Sequence, residues 1–137
     1  MVRAEVIRKR INKLDEYLNV LKSLQRYSYD EFISDPEHYG SAERFLHLAI
    51  EAITDMGNHI IADESLGIVN WYSDIPNIFA NKGYIDDNLR GKWIQMIGFR
   101  NILAHEYIDI DRKLVHDVLQ NKLDDLNLLK EVFIKFL

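Results

Sequence analysis

The sequence predicts an all-α fold, a single up-and-down bundle of four to five helices. Only 2 prolines and 6 glycines occur in 137 residues, so few positions force a turn and long helices are favoured over a many-turned β architecture. Apolar residues also recur at steps of three and four along the chain, which is the spacing of one helix face. No segment gives a convincing indication of a strand.

The first predicted helix runs from about Arg3 to Arg26. Its apolar residues share one face: Ile7, Ile11, Leu14, Leu18 and Leu21. Residues 27–40 are predicted to be irregular, with at most one short turn over 30–33. The pair Asp35-Pro36 ends that turn, because the residue before a proline avoids the helical region.

Ser41 is the predicted N-cap of a second helix that continues to Ile61. Its buried stripe contains Phe45, Ala49, Ala52, Ile53, Met56 and Ile60. A short third helix follows in the segment SDIPNIFANKG. Pro76 lies near its start, where a missing amide costs little, and Gly83 is placed for a left-handed C-terminal cap.

Asp86 or Asp87 caps the fourth predicted helix, which spans about Asn88 to Leu103. The last predicted helix begins near Asp111 and continues to the chain end. Its inner face comprises Val115, Leu119, Leu126, Leu129, Phe133 and Phe136. No linker is long enough to divide the chain, so residues 1–137 are predicted to form one helical domain.

The composition limits the classes of function. The chain has no cysteine, which excludes disulfides and thiolate metal sites. No apolar run approaches the roughly 18 residues of a membrane span, and no apolar segment follows the basic start as in a signal peptide. We therefore expect a cytoplasmic protein without a membrane association.

The charge is unevenly distributed along the chain. Residues 1–26 hold seven Lys/Arg and three Asp/Glu, a net of +4, and since the whole chain carries −5, the rest carries −9. This balance is more acidic than a nonspecific nucleic-acid coat requires. The first helix can still present a local basic surface through Arg3, Arg8, Lys9, Arg10 and Lys13, although a solvated helix face is the commoner outcome of such a run.

The segment FRNILAHEY, residues 99–107, concentrates the side chains that can carry chemistry. Arg100 presents a permanent planar cation that suits phosphate oxygens, and His105 supplies an imidazole, which can accept and donate protons. Such a pair is the minimum equipment for cleaving RNA without a metal. The base removes the proton of the 2′-hydroxyl, and the cation stabilises the charged phosphorane.

The spacing of these residues constrains the site. On an ideal helix Arg100 and His105 lie about 140° apart, whereas Asn101 shares a face with His105 and Arg100 shares one with Tyr107. Two arrangements would bring Arg100 and His105 together. Either the helix ends near Leu103 so that His105 turns back, or a twofold homodimer combines two copies of each residue. We hypothesise the dimeric site, in which Gly98 lets a partner helix approach closely.

Two other kinds of site receive less support. The second helix carries a polar stripe at every fourth position, Glu43, His47, Glu51, Asp55, His59 and Asp63, and neighbours at this spacing can share a metal. The chain lacks the Glu-x-x-His pairs of bundle di-metal sites, so we predict a solvated or interface face and no metal or other cofactor. Asp55 and His59 can still lie near the motif of a neighbouring subunit. A histidine phosphotransfer domain is disfavoured because neither His47 nor His116 is followed by Lys and Gly.

The segment FRNILAHEYIDID resembles the signature of the HepT-like branch of the HEPN ribonuclease superfamily. The resemblance consists of Arg100, four residues and then His105, with the polar Asn101 after the arginine and Tyr107 two residues after the histidine. The segment AIEAITDMGNHIIAD and the number of helices also resemble this branch, so that the similarity extends over most of the chain.

The resemblance implies a homodimeric, HEPN-like toxin that cleaves RNA, in some members tRNA, without a metal. It also implies a minimal nucleotidyltransferase antitoxin that silences the toxin by attaching AMP to Tyr107. Arg100 and His105 would be catalytic, with Asn101 and Tyr107 positioning the substrate. A HEPN subunit without catalysis, which docks a nucleotidyltransferase and contacts nucleotides, is the alternative that the sequence leaves open.

Overall fold

The computed structural model describes residues 1–105 and 108–137, and in these residues it contains seven α-helices and no strand. The helices are α1 (Ala4–Leu24), α2 (Tyr29–Ser34), α3 (Pro36–Asp63), α4 (Asp74–Asn81), α5 (Asp87–His105), α6 (Arg112–Asn121) and α7 (Leu123–Ile134). The predicted all-α class is confirmed, although the number of helices is higher than the four to five expected. None of the helices in these ranges is long and apolar enough to cross a bilayer.

The long helix α3 lies at the centre of the bundle and packs against each of the other six helices. Its most extensive contact is with α1, whose predicted apolar face is buried from Ile7 to Leu21. Aromatic residues close the other side of the core, where Phe79 meets Trp93 edge-on at 5.3 Å between ring centroids and Phe133 at 5.8 Å. The core is continuous through all seven helices of the described ranges.

The predicted start of the second helix at Ser41 is wrong. The helix begins at Pro36, and the side chain of Asp35 caps it by accepting a hydrogen bond from the amide of Glu37 at 2.9 Å. Proline is well suited to the first helical position because its ring holds the required φ and its missing amide would be unpaired there. Asp35-Pro36 therefore ends α2, as predicted, and also starts α3, with Ser41 inside the helix.

Two further boundaries depend on local chemistry. Gly83 has φ +79°, and after it the amide of Tyr84 donates to the carbonyl of Phe79, which confirms the predicted left-handed cap of α4. The single last helix predicted from Asp111 is wrong in part. Asp111 does cap α6, but Lys122 leaves the helical conformation and separates α6 from α7. The turn lets α6 pack on α2 while α7 packs on α1 and α5.

Candidate functional site

Helix α5 carries the predicted motif and places its residues on different sides. The helix continues through Leu103 to His105, so the arrangement in which it ends early and His105 turns back is wrong. Arg100 and His105 consequently lie about 140° apart around the helix axis. No hydrogen bond or ion pair joins them among the described residues.

Arg100 lies on the packed side of α5 and faces α3. Its side chain is only 16% exposed, and its Nη2 atom donates a hydrogen bond to Oε1 of Glu51 at 2.8 Å. Its Nη1 atom donates to Oδ1 of the neighbouring Asn101 at 3.1 Å. The ring of Tyr72, from the segment before α4, lies 5.3 Å from the guanidinium carbon, a distance at which the cation is attracted to the ring face.

Glu51 joins this arginine to a histidine. Its second carboxylate oxygen, Oε2, lies 2.8 Å from Nε2 of His47, one turn earlier on α3. Partial burial pushes the pKa of Glu51 upward, but the hydrogen bonds and charges of Arg100 and His47 together outweigh it, so that the pKa lies below its ordinary value. Glu51 therefore stays charged at neutral pH and holds the guanidinium in one orientation.

The space beside Arg100 is small. A cavity of about 10 Å³ is lined by Ile50, Glu51, Thr54, Asp55, Tyr72, Ile97 and Arg100. The hydroxyl of Thr54, a residue only 6% exposed, has no hydrogen-bond partner among the described residues. A space of this size admits about one water molecule and no nucleotide, so a phosphodiester has to reach Arg100 from the surface.

The opposite side of α5 is open. His105 and Asn101 are exposed, and Gly98 lies one turn before Asn101 on the same face. A Cβ atom added at Gly98 would meet nothing within 4 Å, so this face of the helix has free space beside it. Tyr107, the remaining predicted site residue, lies outside the described residues.

Carboxylates of the polar stripe of α3 form ion pairs with arginines from three other helices or their termini. Besides Glu51 with Arg100, Glu43 Oε2 lies 3.6 Å from Nε of Arg112, and Asp63 Oδ2 lies 3.1 Å from Nε of Arg3. The sequence predicts a solvated or interface face for this stripe and does not predict its pairing with arginines. The regular spacing of four residues was the signal, because it aligns carboxylates that need counter-charges. In the described ranges, no group of three His, Asp or Glu side chains is placed to hold a metal ion.

Comparison with known proteins gives the family. The family model described as ribonuclease HepT-like matches residues 7–132. The chain is 30% identical over 117 residues to the mRNA nuclease HepT of Shewanella oneidensis, a match that covers 84% of this chain and 88% of that protein. It is also 30% identical over 108 residues to the tRNA nuclease HepT of Aphanizomenon flos-aquae, covering 77% and 72% of the two chains.

Solved structures show the same architecture. A crystal structure of a toxin–antitoxin with AMP-PNP superposes with a TM-score of 0.88 at 25% identity, covering 97% of this chain and 99% of the other. The tri-AMPylated HEPN toxin of Shewanella oneidensis in complex with its MNT antitoxin superposes with a TM-score of 0.86 at 26% identity, covering 96% and 98%. The chain belongs to the HepT-like ribonuclease family. This membership confirms the resemblance noted in the sequence and the class of enzyme expected from it.

Proposed function

We propose that this chain is a metal-independent endoribonuclease toxin that acts as a homodimer and is silenced by a minimal nucleotidyltransferase antitoxin. The observation that carries the proposal is the arrangement on α5. Glu51 holds Arg100 in a fixed orientation on one side, and His105 is exposed beside the open face at Gly98 on the other. A second copy of α5 on that face would bring two copies of His105 to one interface.

The guanidinium of Arg100 has capacity for a phosphate. Arginine carries five N–H donors, and in the described ranges Glu51 and Asn101 accept from two of them. Three donors therefore remain for phosphate oxygens, and the charge offsets the negative charge that builds on the phosphorane. Asn101 supports the orientation of Arg100 through its side-chain oxygen, and its shared face with His105 also allows it to position that residue or the phosphate.

His105 is the proposed proton carrier. It removes the proton of the 2′-hydroxyl, and the 2′-oxygen then attacks phosphorus while the bond to the 5′-oxygen breaks. A second proton, delivered by the conjugate acid of an imidazole, neutralises the leaving 5′-oxygen. The products are a 2′,3′-cyclic phosphate and a 5′-hydroxyl, so no water is consumed in the step. The proposed groups act without a metal ion. The RNA is a cellular transcript, with tRNA as the first substrate to test because one relative is named a tRNA nuclease.

Tyr107 is the proposed contact with substrate and the proposed site of adenylylation. One solved relative is described as a tri-AMPylated toxin in complex with its antitoxin. An AMP group on Tyr107 would add negative charge and bulk to the motif, which would repel and exclude an RNA phosphate. Co-expression with a minimal nucleotidyltransferase should add AMP to the wild type, and Tyr107→Phe should abolish that mass increase. Equal modification of Tyr107→Phe would assign the site to another residue.

Cleavage assays with single substitutions test the catalytic roles. Wild type should cleave end-labelled tRNA in the presence of EDTA and leave 2′,3′-cyclic phosphate ends. Arg100→Ala and His105→Ala should each lose about 100-fold or more of the rate, in the range expected for acid–base and electrostatic groups. Arg90→Ala is the matched control on the same helix, where Arg90 pairs with Asp87, and it should cleave like wild type.

Two results would contradict the proposal. Full cleavage by His105→Ala would remove its assigned role, and loss of cleavage in EDTA would show that a metal takes part. Growth assays distinguish a ribonuclease toxin from the alternative, a HEPN subunit without catalysis. Wild type should arrest growth and both Ala variants should not, whereas identical growth with all three would support a HEPN subunit that only binds.

A further inference from the structure

A basic groove runs between α1 and α3, next to the site at Arg100. The groove has a volume of about 330 Å³ and is lined by Lys9, Arg10, Lys13, Tyr17, Leu48, Glu51, Ala52 and Asp55. Its α1 wall carries three cations, and this helix belongs to the part of the chain with a net charge of +4 in an otherwise acidic protein. The sequence indicated a basic surface here without assigning it a role.

The cations of this wall are available to an anionic ligand. Lys9 and Lys13 are exposed one helical turn apart, about 6 Å along the axis, and Arg10 is half-buried between them. Among the described residues, one of these three cations forms an ion pair: Lys13 lies 3.4 Å from Glu16. Both side chains are exposed to solvent, where an ion pair contributes little to stability.

The opposite wall weakens this positive field only in part. Glu51 and Asp55 are its two carboxylates, and Glu51 already carries the hydrogen bonds from Arg100 and His47. Its charge is therefore largely compensated by groups outside the groove. Three cations then face the exposed carboxylate of Asp55, and Glu16 lies beside Lys13 outside the groove, so the groove keeps a net positive charge.

The groove lies next to the candidate catalytic arginine. Glu51 and Asp55 line both this groove and the small cavity at Arg100, so a single ridge of α3 separates them. A chain lying in the groove and crossing the ridge would place its next segment over Arg100. Tyr17 also lies along the groove, and an aromatic ring next to basic side chains is a common feature of single-strand binding surfaces.

We propose that the α1–α3 groove binds the backbone of single-stranded RNA beside the scissile phosphate, with Lys9, Arg10 and Lys13 as phosphate contacts. The inference rests on the proposed ribonuclease function and assigns the path of its substrate. RNA is favoured over an acidic protein because the cations follow one another along a groove that lies one ridge of α3 away from Arg100, the proposed phosphate contact. Affinity for RNA would then come from this local surface, despite the acidic net charge of the chain.

The test measures binding separately from cleavage. The probe is a fluorescein-labelled, fully 2′-O-methylated 20-mer of mixed sequence, which lacks the 2′-hydroxyl nucleophile and stays intact. Anisotropy titrations with the full chain at about 50 to 200 mM salt give the affinity and its salt dependence. The variant is the triple substitution Lys9→Gln, Arg10→Gln and Lys13→Gln.

A second triple variant controls for net charge. Lys82→Gln, Lys122→Gln and Lys135→Gln remove three exposed cations that do not line the groove, so both variants lower the formal charge by the same amount. Circular dichroism and the melting temperature establish that both are folded. Wild-type binding is expected for this control.

We expect the groove variant to bind about tenfold or more weakly than wild type. Its slope of log affinity against log salt should be smaller by about 2, since each phosphate contact on a single strand contributes roughly 0.7. Wild-type affinity and slope in the groove variant would overturn the inference. An acidic protein would then be the better candidate ligand for this surface. An equal loss in the control would overturn it too, because net charge would then explain both.

The two proposals fail in different assays. Groove-dependent binding by a protein that cleaves no RNA would contradict the ribonuclease function and support the groove. Cleavage that depends on Arg100 and His105, together with wild-type binding by the groove variant, would contradict the groove and support the function.

Discussion

Gly57→Ala tests the close packing on which the position of α5 depends. Gly57 lies in α3 at the point where α4 and α5 approach it. A Cβ atom at this position would lie 2.7 Å from Cγ2 of Ile75 and 2.9 Å from an indole ring carbon of Trp93. Both neighbours are fully buried, so neither can move without displacing other core side chains. Trp93 is on α5, two turns before Arg100.

The expected magnitude follows from two opposing effects. Replacing a helical glycine by alanine favours the helix by about 1 kcal/mol. Overpacking of a filled core costs about 1–3 kcal/mol. The net change for Gly57→Ala is therefore a destabilisation of up to about 2 kcal/mol, with α5 displaced relative to α3.

Gly40→Ala is the matched control in the same helix. A Cβ atom at Gly40 would meet nothing within 4 Å, so this substitution should show the helix gain alone. The two variants should then differ by about 1–3 kcal/mol, or roughly 4–12 °C in melting temperature for a chain of this size. Urea unfolding and calorimetry at one fixed protein concentration measure the difference. Equal shifts in both variants would refute the packing argument.

Two further substitutions address the site. Gly98→Ala should raise the stability of the single chain by about 0.5–1 kcal/mol, because a Cβ atom added there would meet nothing within 4 Å. The same substitution should weaken self-association and cleavage. Sedimentation and RNA cleavage like those of wild type would contradict a close helix approach at Gly98. Glu51→Gln should lower stability at neutral pH, because the lowered pKa of Glu51 means that its charged form favours the fold. That contribution is complete above the ordinary value of 4.5 and is lost as the pH falls through the lowered pKa. Urea midpoints of wild type and Glu51→Gln should therefore converge in acid, and a constant difference would contradict the ion-pair origin.

Local sequence chemistry was sufficient where one signal acted alone. The apolar face of α1 and the left-handed cap at Gly83 were predicted correctly, because period and backbone freedom are properties of the residues themselves. The prediction failed at Ser41, where two capping signals stand six residues apart. Asp35 with Pro36 provides both a side-chain acceptor and a preset φ, and the serine was left inside the helix.

The break at Lys122 could not be predicted from the local sequence. Residues 111–137 contain neither glycine nor proline, and their apolar spacing suits one long helix. The turn separates α6, which packs on α2, from α7, which packs on α5, while both helices also contact α1 and α3. The position of the break is set by the burial of both helices, and this burial depends on where the other helices lie.

The sequence by itself determined the all-α class, the family resemblance and the identity of Arg100 and His105 as the reactive pair to consider. These follow from periodicity and residue chemistry, which are local properties. Only the tertiary structure showed that Glu51, which is also bonded to His47, holds Arg100, and that His105 is on the far side of the same helix. Glu51 and Arg100 lie 49 positions apart in the sequence. The packing of α3 against α5 brings them within hydrogen-bond distance.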